Sequence, residues 1–101
     1  MNRIYEISEI KEKLYPVFSS GPIYQATLFG SYARGLADEH SDVDIVIDSH
    51  GELLNINFYG VLEDIVMVLN KKVDLLEISQ IQPESPIMND IREQGVLLYE
   101  R

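Results

Sequence analysis

The chain has 101 residues with 8 basic and 17 acidic side chains, which gives a formal net charge of −9, and it contains no cysteine. Disulfides and thiolate zinc sites are therefore excluded, and so few cations are not expected to follow a nucleic-acid backbone directly. No apolar run approaches the length of a membrane span, so we expect a cytoplasmic protein without membrane contact. The length is typical of one domain, which we predict to cover residues 1–101.

The first half of the chain predicts two helices and two strands. A helix is expected over residues 8–19 with Ser8 as its N-cap, because apolar side chains recur there at helical spacing. Residues 23–29 have the composition of a strand. A short helix at 31–34 and a second strand at 43–48 follow.

The second half continues the alternation. Apolar spacing predicts a helix at about 56–69, and an apolar run predicts a strand at 73–77. A last helix is expected to end at Gly95 and to be followed by a strand at 96–99. The order αβ(α)βαβαβ predicts a mixed α/β (α+β) fold, with helices packed on a small mixed sheet.

Gly30 and Ser31 follow the first predicted strand directly. Glycine allows a backbone to approach a phosphate closely, and a serine hydroxyl adds a hydrogen-bond donor. Alone, a Gly-Ser pair after a strand is more often an ordinary turn. Arg34, three residues after Ser31, suits either a phosphate or an acidic partner near the site.

The second strand carries an acidic pair where a buried strand is normally apolar. Asp42 and Asp44 are two residues apart, so they share one face about 7 Å apart along the chain. Asp-x-Asp is also common at solvated strand ends, but here Val43 and the residues after Asp44 are apolar, which indicates a largely buried strand. Carboxylates so placed are suitable ligands for divalent cations, and without a metal one of them is expected to be protonated.

Asp74 is the candidate for a third carboxylate, because it lies in another apolar strand that is expected to neighbour the first. Two alternatives are weaker. Asp48 shares the face of Asp44 but lies about 13 Å from it along the strand, too far to share its ions. Glu77 ends the third strand, where we expect a solvated carboxylate.

The histidines and aromatic residues predict no further site. His40 and His50 lie in predicted loops without a second histidine at ligand spacing. The tyrosines and phenylalanines are scattered and are expected at core positions, without forming a platform for stacking bases.

Gly30-Ser31, ten further residues and Asp42-Val43-Asp44 together resemble the GSx10DxD signature of the DNA-polymerase-β-like nucleotidyltransferases. The longer string GSYARGLADEHSDVDIVID is similar to the small stand-alone branch of that superfamily, the minimal nucleotidyltransferases (MNT). The resemblance extends through residues 71–76 and 95–99 and so covers nearly the whole chain. It implies the sheet of the polymerase palm.

The resemblance also implies the roles of the site residues. It implies that Asp42 and Asp44 hold two Mg²⁺ ions, that Asp74 holds one of them and acts on the acceptor, and that Gly30 and Ser31 bind the nucleotide phosphates. Members of this length are often antitoxins encoded beside a HEPN-domain RNase toxin, in type VII-like pairs. The implied reaction is transfer of AMP from ATP to a tyrosine of that toxin.

Two other functions remain open at this point. An antitoxin that silences its toxin by binding alone would need only the acidic surface and the small size. A nucleotidyltransferase for small molecules, such as an antibiotic, is the third alternative, although the sequence offers no second domain to hold such a substrate.

Overall fold

The computed structural model describes residues 3–101; Met1 and Asn2, which the predicted domain includes, lie outside the described residues. The helices and strands are α1 Ile7–Ser19, β1 Gln25–Phe29, α2 Gly30–Ala33, β2 Val43–Asp48, α3 Ile56–Leu69, β3 Val73–Glu77, α4 Pro86–Gln94 and β4 Val96–Glu100. The predicted class and element order are confirmed. No helix in this part of the chain is long and apolar enough to cross a membrane.

The four strands form one mixed sheet in the order β3-β2-β1-β4. β1 is antiparallel to both β2 and β4, whereas β2 and β3 are parallel. Because parallel neighbours cannot be joined by a tight turn, the crossover from β2 to β3 is made by α3. The register sets Phe29 opposite Asp44, and Asp44 opposite Asp74.

The two faces of the sheet differ. One face is covered by α1 and α3 and holds the main core, whose largest fully buried members are Phe18, Ile10, Leu14, Ile23, Leu28, Ile45, Ile47, Ile65, Leu69 and Val43. By the alternation of strand side chains, Asp44 and Val46 lie on the other face. α4 packs beside β1 and α2 and leaves the surface over Asp44 open as a cavity that Ile87 helps to line.

Some predicted bounds move by a few residues. α1 begins at Ile7 rather than at 8, and Glu6, not Ser8, is its N-cap, since the Glu9 carboxylate accepts the backbone N–H of Glu6. β1 begins at Gln25 rather than at 23. A 3₁₀ turn after β3 was not predicted.

The expectation that the aromatic residues occupy core positions is wrong for two of them. Tyr15 on α1 is 60% exposed and Tyr59 on α3 is 66% exposed. Phe18 and Tyr32 do belong to the core.

Candidate active site

Three neighbouring strands bring Phe29, Asp44 and Asp74 into line across the sheet. Asp74 thus lies where the sequence predicted it, on the strand next to that of Asp44. Directly opposed residues on neighbouring strands have side chains close enough to interact. The carboxyl groups border a cavity of about 290 Å³, which is lined by Phe29, Asp44, Asp74, Leu75, Leu76 and Ile87.

The surroundings of Asp44 favour its protonated form. Burial, a hydrogen bond with Asp74 and the negative charges of Asp74, Asp42 and Asp90 together raise the pKa of Asp44 to about 6. A protonated member of the carboxylate group was expected from the sequence. The raised pKa belongs to Asp44, and Asp74 rather than Asp42 is its strongest charged neighbour.

Asp42 lies immediately before β2 and is paired with a cation. Its Oδ2 is 3.7 Å from Nζ of Lys72, the residue before β3. The next residue, Val43, donates its backbone N–H to the carbonyl oxygen of Lys72 at 3.0 Å. This bond joins the starts of the two acidic strands and sets Asp42 beside the Asp44–Asp74 pair.

Gly30 is required by the geometry of the same group. Its φ of +73° lies in the left-handed region, and a Cβ at this position would overlap Oδ2 of Asp44. The Gly30 backbone N–H donates to Oδ2 of Asp90 at 3.3 Å. Ser31 follows in the first turn of α2, and no hydrogen bond within residues 3–101 uses its hydroxyl.

Asp90 is a site residue that the sequence did not predict. It lies on α4, and its Oδ1 accepts a hydrogen bond from Nη1 of Arg34 at 2.8 Å. Of the two partners considered for Arg34, the acidic one is therefore observed. One carboxylate thus accepts hydrogen bonds from both the Gly30 N–H and the Arg34 guanidinium.

The structure assigns local roles to the two weaker candidates. Asp48 accepts the backbone N–H of His50 at 2.9 Å and so stabilises the turn after β2. Glu77 is only 2% exposed, so the prediction of a solvated carboxylate is wrong. It accepts hydrogen bonds from the backbone N–H and hydroxyl of Ser49 and from the backbone N–H of Ser79, because the chain after β2 folds over the end of β3.

The histidines are involved in surface contacts. His50 stacks on Tyr24 with 3.7 Å between ring centroids, and His40 lies 3.4 Å from the carboxylate of Glu39. Neither approaches the cavity of the aspartates.

The donor set of the aspartates fits a divalent cation that shares its ligands with a substrate. Within residues 3–101 no three His, Cys, Asp or Glu side chains form a complete metal cage. Mg²⁺ does not need one, because it usually takes one or two carboxylates and completes its shell with water and substrate phosphates. The half-buried Asp44 beside Asp74 supplies hard oxygen ligands whose mutual repulsion a cation would relieve.

The sequence is similar to those of known nucleotidyltransferases. The family model for "Polymerase beta, Nucleotidyltransferase" matches residues 12–101. A candidate protein adenylyltransferase of Methanocaldococcus jannaschii is 36% identical over 78 residues, which are 76% of this chain and 83% of the relative. A second candidate protein adenylyltransferase of the same organism is 33% identical over 78 residues, 73% of this chain and 91% of the relative.

Solved structures show the same fold. A chain from a crystal structure of a toxin–antitoxin with AMP-PNP superimposes with a TM-score of 0.77 at 22% identity, over 90% of this chain and 73% of that chain. A chain from a complex of tri-AMPylated Shewanella oneidensis HEPN toxin with MNT antitoxin gives a TM-score of 0.72 at 20% identity, over 94% and 73%.

Proposed function

We propose that this chain is an antitoxin that transfers AMP from ATP to a tyrosine of a HEPN-domain RNase toxin, in a type VII-like pair. The chain belongs to the polymerase beta nucleotidyltransferase family. The observation that carries the proposal is the placement of Asp44 directly opposite Asp74, against the Gly30 turn. The names of the M. jannaschii relatives and the AMPylated toxin in the S. oneidensis complex favour a protein as the acceptor.

The proposed roles divide the site into a phosphate side and a metal side. The Gly30 N–H, the Ser31 hydroxyl and Arg34 bind the nucleotide phosphates. Asp42 and Asp44 hold two Mg²⁺ ions, and Asp74 shares one of them. When bound, Mg²⁺ supplies charge neutralisation at the phosphates and at the attacking and leaving oxygens.

The proposed step is a single displacement at the α-phosphorus of ATP. The tyrosine hydroxyl oxygen forms a bond to that phosphorus, and the bond from the phosphorus to the oxygen that bridges to the β-phosphate breaks. The hydroxyl proton passes to the carboxylate of Asp74, and diphosphate leaves with the electron pair of the broken bond. Asp74 suits this task because it is the most exposed of the three aspartates and lines the cavity.

The remaining expectations belong to the same proposal. Residues 1–101 act as one catalytic domain in the cytoplasm, without direct contact to nucleic acid or membrane. A net charge of −9 suits docking on a basic RNase.

The test is to incubate the protein with ATP, Mg²⁺ and the HEPN-domain protein encoded beside it, and to weigh that protein by intact mass spectrometry. We expect an AMP adduct on a tyrosine with the wild type and none with the double variant Asp42→Asn and Asp44→Asn. No adduct, or an undiminished adduct with the double variant, contradicts the proposal.

The same double variant separates the proposal from an antitoxin that acts by binding alone, which the high negative charge would also serve. A binding antitoxin still protects cells when both aspartates are replaced, whereas the enzyme does not. Adenylylation of an antibiotic, with none of the toxin, would indicate the small-molecule alternative.

A further inference from the structure

β3 is an edge strand with a free outer side. It pairs with β2, and within residues 3–101 no strand lies on its other side. Val43 donates its N–H to the carbonyl of Lys72, so by the alternation of a parallel ladder the backbone groups of Val73 and Leu75 point away from the sheet. No other backbone group in the described chain hydrogen bonds to those two residues on that side.

Two cavities meet at this edge. One is the 290 Å³ cavity of the catalytic aspartates. The other, of about 230 Å³, is lined by Leu53, Leu54, Asn55, Phe58, Tyr59, Leu75, Leu76, Glu77 and Gln80. Both are lined by Leu75 and Leu76, so they lie against the same part of β3, and we call the two cavities and the strand edge between them the β3 groove.

The β3 groove exposes large apolar side chains. Tyr59 is 66% exposed and Leu54 is 49% exposed, both on the α3 side of the groove. Proteins usually protect an edge strand with charges, proline or a covering loop, because its free backbone groups readily pair with another chain. On β3 the exposed charged side chain is Asp74, which belongs to the catalytic cavity.

We propose that an extended segment of the acceptor protein docks in the β3 groove by adding a strand to β3. This inference rests on the proposed function, because it assigns the place where that reaction's protein substrate binds. Strand addition uses backbone hydrogen bonds for affinity and pockets for alternate side chains for specificity. The backbone groups of Val73 and Leu75 provide the hydrogen bonds, and the two cavities provide the side-chain pockets.

The position of the aspartates in one of the two cavities of the groove identifies the occupant. In an added strand, successive side chains point to opposite faces of the sheet. A side chain on the Asp74 face enters the catalytic cavity, and its immediate neighbour in sequence points to the face of α3, where Phe58 and Tyr59 lie. The acceptor tyrosine is therefore flanked directly by an apolar residue, and that residue fills the cavity beside α3.

The first test maps the interface without catalysis. Amide hydrogen exchange of the full chain is followed by NMR with and without the HEPN-domain protein and in the absence of ATP. We expect the amides of Val73 and Leu75 to become protected when the partner is added. Protection elsewhere, with these two amides unchanged, overturns the proposal, as does a failure of the two proteins to bind.

The second test changes the groove and a matched position outside it. Tyr59→Lys places a charge in the apolar part of the groove, whereas Met67→Lys makes the same change at a residue that is 72% exposed on the same helix but does not line the groove. We expect the Kd for the HEPN-domain protein to rise by about tenfold or more with Tyr59→Lys and to stay within about twofold with Met67→Lys. Equal effects of the two variants contradict the proposal.

Failure of the docking inference and failure of the proposed function give different results. If AMP is transferred normally by Tyr59→Lys and the Val73 amide stays unprotected, the activity stands and the docking site is wrong. If the amides are protected but no AMP is transferred, the docking site stands and the activity is wrong. Protection of these amides that depends on protein concentration without the partner indicates pairing of β3 between two copies of this chain and overturns the assignment to the acceptor.

Discussion

Asp44 lies opposite Asp74 on the parallel neighbour and touches the Gly30 turn, where only glycine leaves room for its carboxylate. The fold holds this side chain half-buried among like charges, which raises its pKa to about 6. The proposed metal ligand must be ionised. Cation binding and protonation therefore compete for the same carboxylate, and the site is most unfavourable for stability when neither is bound.

Asp44→Asn is expected to stabilise the metal-free protein near neutral pH. The pKa of Asp44 is 3.8 in the unfolded state and about 6 in the folded state. As pH rises between these two values, the unfolded state has already lost the Asp44 proton while the folded state still binds it, so the free energy of unfolding of the wild type falls. Since the side chain is only half-buried, solvent screening limits the gain from the variant to about 1 kcal/mol at neutral pH.

Urea unfolding in EDTA across this pH range checks the prediction. The difference between Asp44→Asn and the wild type should vanish at the acidic end, where Asp44 is protonated in both states. Asp64→Asn, at an exposed position of α3, is the control for removal of one negative charge. A stabilisation that is independent of pH would contradict the assignment to Asp44.

Asp90→Asn is expected to lower the KM for ATP by about threefold to tenfold with little change in kcat. The Asp90 carboxylate occupies the Gly30 N–H and the Arg34 guanidinium, and an amide competes less strongly with phosphates for these donors. Steady-state adenylylation kinetics provide the measurement. Glu93→Gln removes the same charge from an exposed position of α4, and an equal fall in KM there would show that net charge alone is responsible.

The positions of these residues differ in how far the sequence could predict them. Asp44 and Asp74 could be paired in advance, because each lies within an apolar run that forms a strand, and adjacent parallel strands bring such positions together. Asp90 could not, because it lies on the polar side of a helix that shares no motif with Gly30. Its contact depends on how α4 packs against α2, which is a tertiary property.

At the scale of elements, the carboxylate of Glu77 ties the end of β3 to the chain that leaves β2. It accepts from two groups of Ser49 and one of Ser79, and the Ser49 hydroxyl in turn accepts the backbone N–H of Leu53 at 3.0 Å. These bonds lower the pKa of Glu77 against the opposing effect of burial. They fix the chain from Ser49 to Leu53, and Leu53 lines the β3 groove together with Glu77.

Glu77→Gln is expected to destabilise the protein by about 2 kcal/mol at neutral pH. Both carboxylate oxygens of Glu77 accept hydrogen bonds from Ser49 and Ser79, whereas an amide has only one oxygen that can accept them. The lowered pKa contributes stability that is present above the unfolded value of 4.5 and is lost as pH falls through the folded value. The difference from the wild type should therefore shrink at acidic pH. Urea unfolding measures it, with Glu63→Gln on the exposed side of α3 as the control, and an unchanged stability would contradict the role of Glu77.

The sequence predicts the elements better than their ends. α3 and β3 have the predicted bounds, because apolar periodicity and the Asn70 cap, in the left-handed conformation, mark them locally. The burial of Glu77 was not predictable in this way. An acidic residue at a strand end is usually solvated, and only the return of the chain at Ser49 supplies the donors that make burial possible.

At the scale of the whole molecule, the net charge of −9 predicts how fast a basic acceptor protein binds. Long-range attraction raises the association rate constant and is screened within about 10 Å at 0.1 M salt, whereas the short contacts of the β3 groove are screened much less. We therefore expect the association rate constant for the HEPN-domain protein to fall by about tenfold between low and high salt, with little change in the dissociation rate constant. Surface plasmon resonance over a salt series measures both.

The double variant Glu12→Lys and Glu63→Lys, at exposed positions outside the groove, should lower the association rate constant at low salt and converge with the wild type at high salt. If salt instead acts mainly on dissociation, the negative charge acts through direct ion pairs in the interface rather than through the field of the whole protein.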